Sequence, residues 1–143
     1  MRYNPWWDAN ERHPDIHIEW HPIYPVRAAW CPTERVILVD EDINDIERRC
    51  ALAHELAHID TADAQTALCW FSSRQETAAD RLAAERLVGV DEIADALRWT
   101  NAVTELAQAV GVTPNVLRLR ARMLSEHERA RLNAVISRRD SAA

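Results

Sequence analysis

Residues 42–59 read DINDIERRCALAHELAHI, a stretch without glycine or proline in which apolar residues flank two histidines. Asp42 is a suitable N-cap, and the acidic Asp45 and Glu47 lie in the first turn, where the helix dipole favours negative charge. The pattern therefore predicts one helix from Asp42 to about Ile59.

Two histidines of this stretch, His54 and His58, are four residues apart, so a helix places both imidazoles on one face, within reach of a single ion. Zinc binds His nitrogen at about 2.0–2.1 Å, and this spacing allows it without bending the helix. Glu55 is rotated by about 100° from His54 around the helix axis, which places its carboxylate beside the ion. There it can take a proton from zinc-bound water, because the metal lowers the pKa of that water to about 7. The stretch predicts a catalytic zinc site with Glu55 as the general base.

A catalytic zinc needs a third protein ligand and leaves one coordination position open. Glu76 begins a second predicted helix, about Arg74–Val88, which can pack against the first helix and present a carboxylate to the ion. Asp80 lies one turn further along the same face, and it is the candidate that binds the second nitrogen of a ligating histidine and fixes its tautomer. Two other acidic residues stay open as alternatives: Asp60, which points away if the helix continues, and Asp63, which requires the chain to turn back at once.

The first 40 residues predict strands rather than helices. Five of the six prolines lie within the first 32 residues, and proline is unfavourable inside a helix. Alternating and β-branched residues predict three short strands, at Ile16–Trp20, Val26–Trp30 and Arg35–Asp40. Their connections are too short for crossover helices, so we expect an antiparallel sheet.

Helical patterns also fill the chain after Gly89, which is a natural helix terminator. The predicted helices are Asp91–Trp99, Ala102–Val110, Thr113–Leu124 and Ser125–Ser137. The second and third have the spacing of a helix-turn-helix, with Gly111 in the turn. Arg118, Arg120 and Arg122 on the third helix are candidate DNA contacts, although their alternating positions do not share one helix face.

Together these elements predict an α+β fold: a small N-terminal antiparallel sheet, a zincin-like zinc-binding helix pair, and a C-terminal helical bundle with a helix-turn-helix-like pair. The chain of 143 residues is long enough to bury a hydrophobic core. We expect residues 1–100 to form a metallopeptidase core and residues 101–143 to form a helical subdomain packed on it. Residues 138–143 are expected to fray.

Charge and cysteine content narrow the function classes. Residues 1–100 hold 10 Arg and 19 acidic residues, whereas residues 101–143 hold 7 Arg and 4 acidic residues. The acidic charge of residues 1–100 argues against nucleic acid as the main partner. The basic charge of residues 101–143 is compatible with DNA binding. The three cysteines are widely spaced without a CxxC pair, which indicates free thiols. With no transmembrane stretch and no signal-peptide core, we expect a cytoplasmic protein without a membrane partner.

The motif HELAH, followed by ETAADRLAAERL at residues 76–87, resembles the ImmA/IrrE metallopeptidases. The motif of that family is HExxH followed by ExxA(N/D)xFAAxLLMP, and the likeness covers about residues 33–125. The chain departs from it at Leu82, where phenylalanine is usual, and at residues 86–89, where RLVG replaces LLMP. Both departures bear on packing and helix termination rather than on the metal.

The resemblance implies a zinc-dependent endopeptidase with His54, His58 and Glu76 as zinc ligands and Glu55 as the general base. It also implies a bacterial or phage-infected host cell and a specific protein substrate. That substrate is a phage or mobile-element repressor or a related transcriptional regulator whose cleavage switches gene expression. The alternative is a regulatory module that binds a repressor or DNA through the C-terminal helices without cleaving it.

Overall fold

A computed structural model describes residues 2–61 and 73–142 of the chain. Within those residues the secondary structure consists of three strands and seven helices, and none of these helices is long and apolar enough to cross a membrane. In chain order the elements are α1 (Pro5–Arg12), β1 (His17–His21), β2 (Ala28–Cys31), β3 (Val36–Asp40), α2 (Asp45–Thr61), α3 (Ser73–Leu87), α4 (Val90–Leu97), α5 (Val103–Val110), α6 (Pro114–Arg122) and α7 (Glu126–Ala142). This combination of a small sheet with many helices confirms the predicted α+β class.

Helix α1 corrects the prediction that the proline-rich N-terminal part contains no helix. Pro5 occupies the first helical position, where the missing N–H has no intrahelical partner in any case. The Asn4 side chain caps the helix by accepting a hydrogen bond from the backbone N–H of Trp7 at 3.1 Å. The next proline, Pro14, follows the last helical residue, Arg12, so neither proline interrupts the helix.

The sheet is mixed, with the strand order β1-β3-β2. β2 and β3 form an antiparallel hairpin in which Ala28 pairs with Val39 and Cys31 pairs with Val36. β1 instead lies parallel to β3, so the predicted antiparallel pairing is wrong for these two strands. No crossover helix is needed between them, because β2 itself carries the chain back to the side of the sheet where β3 starts.

Helix α2 begins later than predicted, and its cap is Asn44 rather than Asp42. The Asn44 side chain accepts a hydrogen bond from the backbone N–H of Glu47 at 2.9 Å and donates one to the Glu47 carboxylate at 2.9 Å. The first bond satisfies a free backbone N–H of the first turn, and the second holds the Asn44 side chain in place. Together they explain why the helix starts at Asp45. At its other end the helix continues to Thr61, beyond the predicted end.

Helix α2 lies between the sheet and the other helices, and two of its faces are buried. Leu52 and Leu56 are fully buried in a cluster with Ile37 of β3. Ala53 and Ala57 belong to a second buried cluster that extends through α3 to α7, and their small side chains let the neighbouring helices approach closely. The remaining face of α2 carries the two histidines of the HExxH motif, so packing on both sides fixes the direction of that face.

Helices α3 to α6 follow the prediction with shifts of a few residues at their ends. Gly111 follows the last residue of α5 as its C-cap, and its φ of 73° lies in the left-handed region that glycine adopts without strain. Thr113 caps α6 by accepting a hydrogen bond from the backbone N–H of Val116 at 3.4 Å. Ser125 and Glu128 form the capping box before α7, each side chain accepting a hydrogen bond from the other residue's backbone N–H.

Helix α7 continues to Ala142, so the prediction that the chain frays from residue 138 is wrong up to that residue. Arg139 Nη1 donates a hydrogen bond to the backbone oxygen of Leu97 at 3.1 Å, which holds the last turns of α7 against α4. One buried cluster contains both Leu87 and Leu132, from the two sides of residue 100. The division of the chain at residue 100 stays a prediction.

Candidate metal centre

Helices α2 and α3 bring together the side chains of His54, His58 and Glu76. His54 Nε2 lies 3.1 Å from Glu76 Oε2, and His58 Nε2 lies 2.8 Å from Glu76 Oε1. One potential ligand atom of each residue lies within 4.8 Å of the others. Among residues 2–61 and 73–142, no other group of three or more His, Cys, Asp or Glu side chains meets this distance. The three residues that the sequence proposes as ligands therefore share one site.

The chemistry of this group fits a divalent cation. Two imidazole nitrogens and one carboxylate are a donor set that catalytic zinc uses. The two rings lie nearly perpendicular, at 86°, with their centroids 4.6 Å apart, and both turn Nε2 towards Glu76. Burial, together with the positive charge of His54, lowers the pKa of His58. A lowered pKa favours the neutral imidazole, which is the form that binds metal.

Asp80 lies one turn after Glu76 on α3, and its Oδ1 is 2.9 Å from His54 Nδ1. A carboxylate at this nitrogen keeps the proton on Nδ1 and leaves the lone pair of Nε2 facing the ligand group. The role of Asp80 in orienting His54 stays a prediction, and it is the role that this contact allows.

Glu55 is buried at the back of the same site, with 7% of its surface exposed. Its Oε2 accepts a hydrogen bond from the backbone N–H of Trp30 in β2 at 3.1 Å. Burial and then the negative charge of Glu76 raise the pKa of Glu55 to about 8, against the opposing effect of the Trp30 amide. A bound cation acts in the opposite direction on a neighbouring carboxyl group. Glu55 can therefore both accept and release a proton near neutral pH.

The other acidic candidates do not join this group. Asp60 Oδ2 lies 2.8 Å from Arg12 Nη2 and 2.7 Å from Arg86 Nη1, and its Oδ1 lies 3.0 Å from His13 Nε2. Its carboxylate thus ties α2 to α1 and α3, on a different side of α2 from the histidines. Asp63 lies outside the described residues.

Two of the three cysteines fall within the described residues. Cys31 and Cys50 are half-buried, and Cys69 lies outside this part of the chain, so the expectation of free thiols stays a prediction. Cys50 lies one turn before His54 on α2, and burial raises the pKa of its thiol.

A cleft of about 450 Å³ opens beside the candidate metal centre. The segment before β2 forms one wall and the start of α6 forms another, while α2 supplies the floor. The residues along it are Pro25, Arg27, Ala28, Glu47, Cys50, Ala51, His54, Glu55, Glu76, Thr113, Asn115 and Val116. Neither wall was predicted from the sequence: residues 26–28 were assigned only to a short strand, and residues 113–116 to the start of a candidate DNA-binding helix.

The three candidate DNA contacts on α6 differ in their surroundings. Arg120 is buried, its Nε donates a hydrogen bond to the backbone oxygen of Val88 at 2.8 Å, and its Nη2 lies 3.8 Å from Glu128. It holds α6 against α3 and α7 and is not available to nucleic acid, which corrects that part of the prediction. Arg118 and Arg122 are exposed, and DNA binding through them stays a prediction.

Two histidines and a glutamate that converge beside a buried glutamate are the arrangement expected of an HExxH metallopeptidase. The family model Peptidase_M78, the IrrE N-terminal-like domain, matches residues 11–122, and the chain belongs to this family. No curated protein and no solved structure is significantly similar to the chain. Membership confirms the resemblance to ImmA/IrrE proteins, and it implies a metallopeptidase-like, generally metal-dependent function with a protein substrate.

Proposed function

We propose that the chain is a zinc-dependent endopeptidase in which His54, His58 and Glu76 hold the ion. The observation that carries this proposal is the convergence of both Nε2 atoms on the two oxygens of Glu76, at 3.1 and 2.8 Å. When bound, zinc supplies Lewis acidity, which polarises a peptide carbonyl and lowers the pKa of a water molecule.

Glu55 is the proposed general base. Its Oε2 is held by the Trp30 N–H, so we assign the proton transfers to Oε1. The carboxylate takes a proton from the attacking water and later gives it to the leaving amine. Its burial keeps bulk water away from this exchange, and the Trp30 amide fixes the direction of the carboxyl group.

Asp80 is the proposed positioning residue for His54. Its contact with Nδ1 holds the imidazole in one orientation and one tautomer, so Nε2 stays directed at the ion. Asp80 itself touches neither the ion nor the substrate in this scheme.

We propose a repressor or related transcriptional regulator as the substrate, on the strength of the family membership and the ImmA/IrrE motif. The position of α6 supports cleavage over a DNA-reading role. Its first turn, with Asn115 and Val116, lines the cleft beside the candidate centre, whereas a DNA-reading helix presents that turn to the major groove.

Glu55→Gln tests the peptidase function against a non-cleaving regulatory role. The variant keeps the shape of the side chain but does not accept a proton, so cleavage is abolished while metal content and partner binding persist. Glu47→Gln, in the same cleft but outside the proposed machinery, is the control for the loss of one acidic charge. Full biological activity of Glu55→Gln would show that the protein acts without hydrolysis.

A further inference from the structure

The cleft beside the candidate metal centre contains an exposed arginine, Arg27, that has no partner among the described residues. Arg27 immediately precedes β2 and lines the cleft opposite Glu47 and Cys50 of α2. Its guanidinium makes no hydrogen bond or ion pair with any residue that the structure describes. Arg12 and Arg86 are paired with Asp60 and tie helices together, whereas Arg27 is exposed and its side chain pairs with no carboxylate among the described residues, so it has no comparable structural task.

Arg27 lines the same cleft as His54 and Glu55 of the candidate metal centre. Burial raises the pKa of the Cys50 thiol, and the charge of Arg27 opposes part of that rise, whereas the pKa of Glu55 depends on burial and on other neighbours. The charge of Arg27 therefore acts on the floor of the cleft at Cys50, and both residues line the same cleft as Glu55. Cys50 precedes His54 by one turn, about 5.4 Å. An extended peptide covers this distance with one to two residues at about 3.3 Å each.

We propose that Arg27 is a specificity-determining residue that binds an Asp or Glu side chain of the substrate, one or two residues from the cleaved bond. This proposal rests on the proposed peptidase function. A guanidinium offers two parallel N–H groups in the geometry of a carboxylate, so it distinguishes Glu from its neutral isostere Gln. Glu47, the nearby carboxylate of α2, is hydrogen-bonded to Asn44 and leaves Arg27 open to the cleft.

The test is the cleavage profile of a peptide library with amidated C-termini, so that side chains supply the carboxylates. Zinc-loaded wild type is expected to prefer Glu over Gln within two residues of the cleaved bond, on the order of fivefold for a solvent-exposed ion pair. Arg27→Gln should lose this preference, and Arg27→Glu should favour Lys or Arg at that position. Arg122→Gln, an exposed arginine outside the cleft, is the matched control and should keep the wild-type profile.

A wild-type profile without an acidic preference, or a preference that persists in Arg27→Gln, overturns the assignment and leaves the peptidase function intact. An equal fall in kcat for all peptides with the preference unchanged also overturns it, because Arg27 would then act on the reaction itself. Binding of matched Glu and Gln peptides to Glu55→Gln, measured by fluorescence anisotropy, separates the two proposals. Arg27-dependent binding without any wild-type cleavage contradicts only the peptidase function, whereas binding that ignores Arg27 contradicts the specificity role.

Discussion

Among single residues, Glu76 matters most to the candidate centre, because it comes from a different helix than the HExxH histidines. Helix α2 alone supplies two candidate ligands, one fewer than a catalytic zinc takes from a protein. The Glu76 carboxylate lies between His54 and His58, within 3.1 Å of both Nε2 atoms. A complete donor set therefore exists only while α3 is packed against α2.

Asp80→Asn is expected to weaken zinc binding about 10–100-fold, since the amide no longer holds the proton on His54 Nδ1 as a carboxylate does. Asp80 is exposed, so the fold should be unaffected. Competition with a chelator of known affinity gives the change, and Glu85→Gln on the exposed side of the same helix is the control. An unchanged zinc affinity would show that Asp80 does not position His54.

Because of Asp60, the free energy of unfolding of the protein is expected to fall at acid pH. Burial alone would raise its pKa, but the hydrogen bonds from Arg12 and Arg86 outweigh this effect and lower it to about 2. The unfolded chain has the higher pKa, about 3.9, so it binds more protons as the pH falls. The contribution of Asp60, about 2.5 kcal/mol at most, is thus complete above about pH 5 and is lost as the pH falls towards 2.

Urea unfolding from pH 7 to pH 2 measures this dependence. Asp60→Asn should be less stable than wild type at pH 7, and the difference should shrink towards pH 2. Asp95→Asn, at a largely exposed carboxylate that lies 3.9 Å from Arg98, is the control and should follow the wild-type curve. A constant difference between Asp60→Asn and wild type at all pH values would contradict the assignment.

Elements whose signals are local could be predicted from the sequence. Ser125 caps the start of α7, and Gly111 ends α5 in the left-handed conformation. Both functions are typical of these residue types, and α5 ends and α7 begins within a residue of the predicted positions. Helix α1 carried such a signal too, in Asn4 followed by Pro5, but the density of prolines pointed the other way. The parallel pairing of β1 and β3 could not be predicted, because no residue of β1 specifies which strand it pairs with.

The turn between α5 and α6 contains a glycine in the left-handed conformation. Gly111 has a φ of 73°, and a Cβ there would lie 3.0 Å from Arg2 Nη1 and 3.3 Å from Arg49 Nη1. Gly111→Ala is therefore expected to destabilise the protein by about 1–2 kcal/mol, through the left-handed backbone and the crowding together. Gly89→Ala is the matched control, since a Cβ there would meet the Glu92 side chain at ordinary contact distances, 3.5 Å to Oε1 and 4.0 Å to Cγ.

Thermal or urea unfolding of the two glycine variants gives the comparison. Gly111→Ala should unfold at a clearly lower temperature than Gly89→Ala. Equal stability of the two variants would mean that the turn relaxes without cost and that its left-handed conformation is not required.

At the scale of the whole molecule, the candidate ligands could be predicted and the cleft could not. His54, Glu55 and His58 follow from spacing within one helix, and Glu76 follows from a second helix with a matching motif. The walls come from residues 25–28 and 113–116, which are far apart in the chain and meet only because α2 is packed between the sheet and the helices. The cleft thus cannot be predicted from local sequence, whereas the candidate ligands can be named from two local motifs, although their convergence also needs α3 packed on α2.

The most direct test of the proposed metal centre is the zinc content of the purified protein, measured by elemental analysis at neutral pH without chelator. We expect one zinc per chain for wild type and for His17→Ala, a control at an exposed histidine of β1, and almost none for His54→Ala and Glu76→Ala. Wild-type protein without metal that also fails to take up added zinc would contradict the proposed centre, as would a His54→Ala variant that retains a full equivalent.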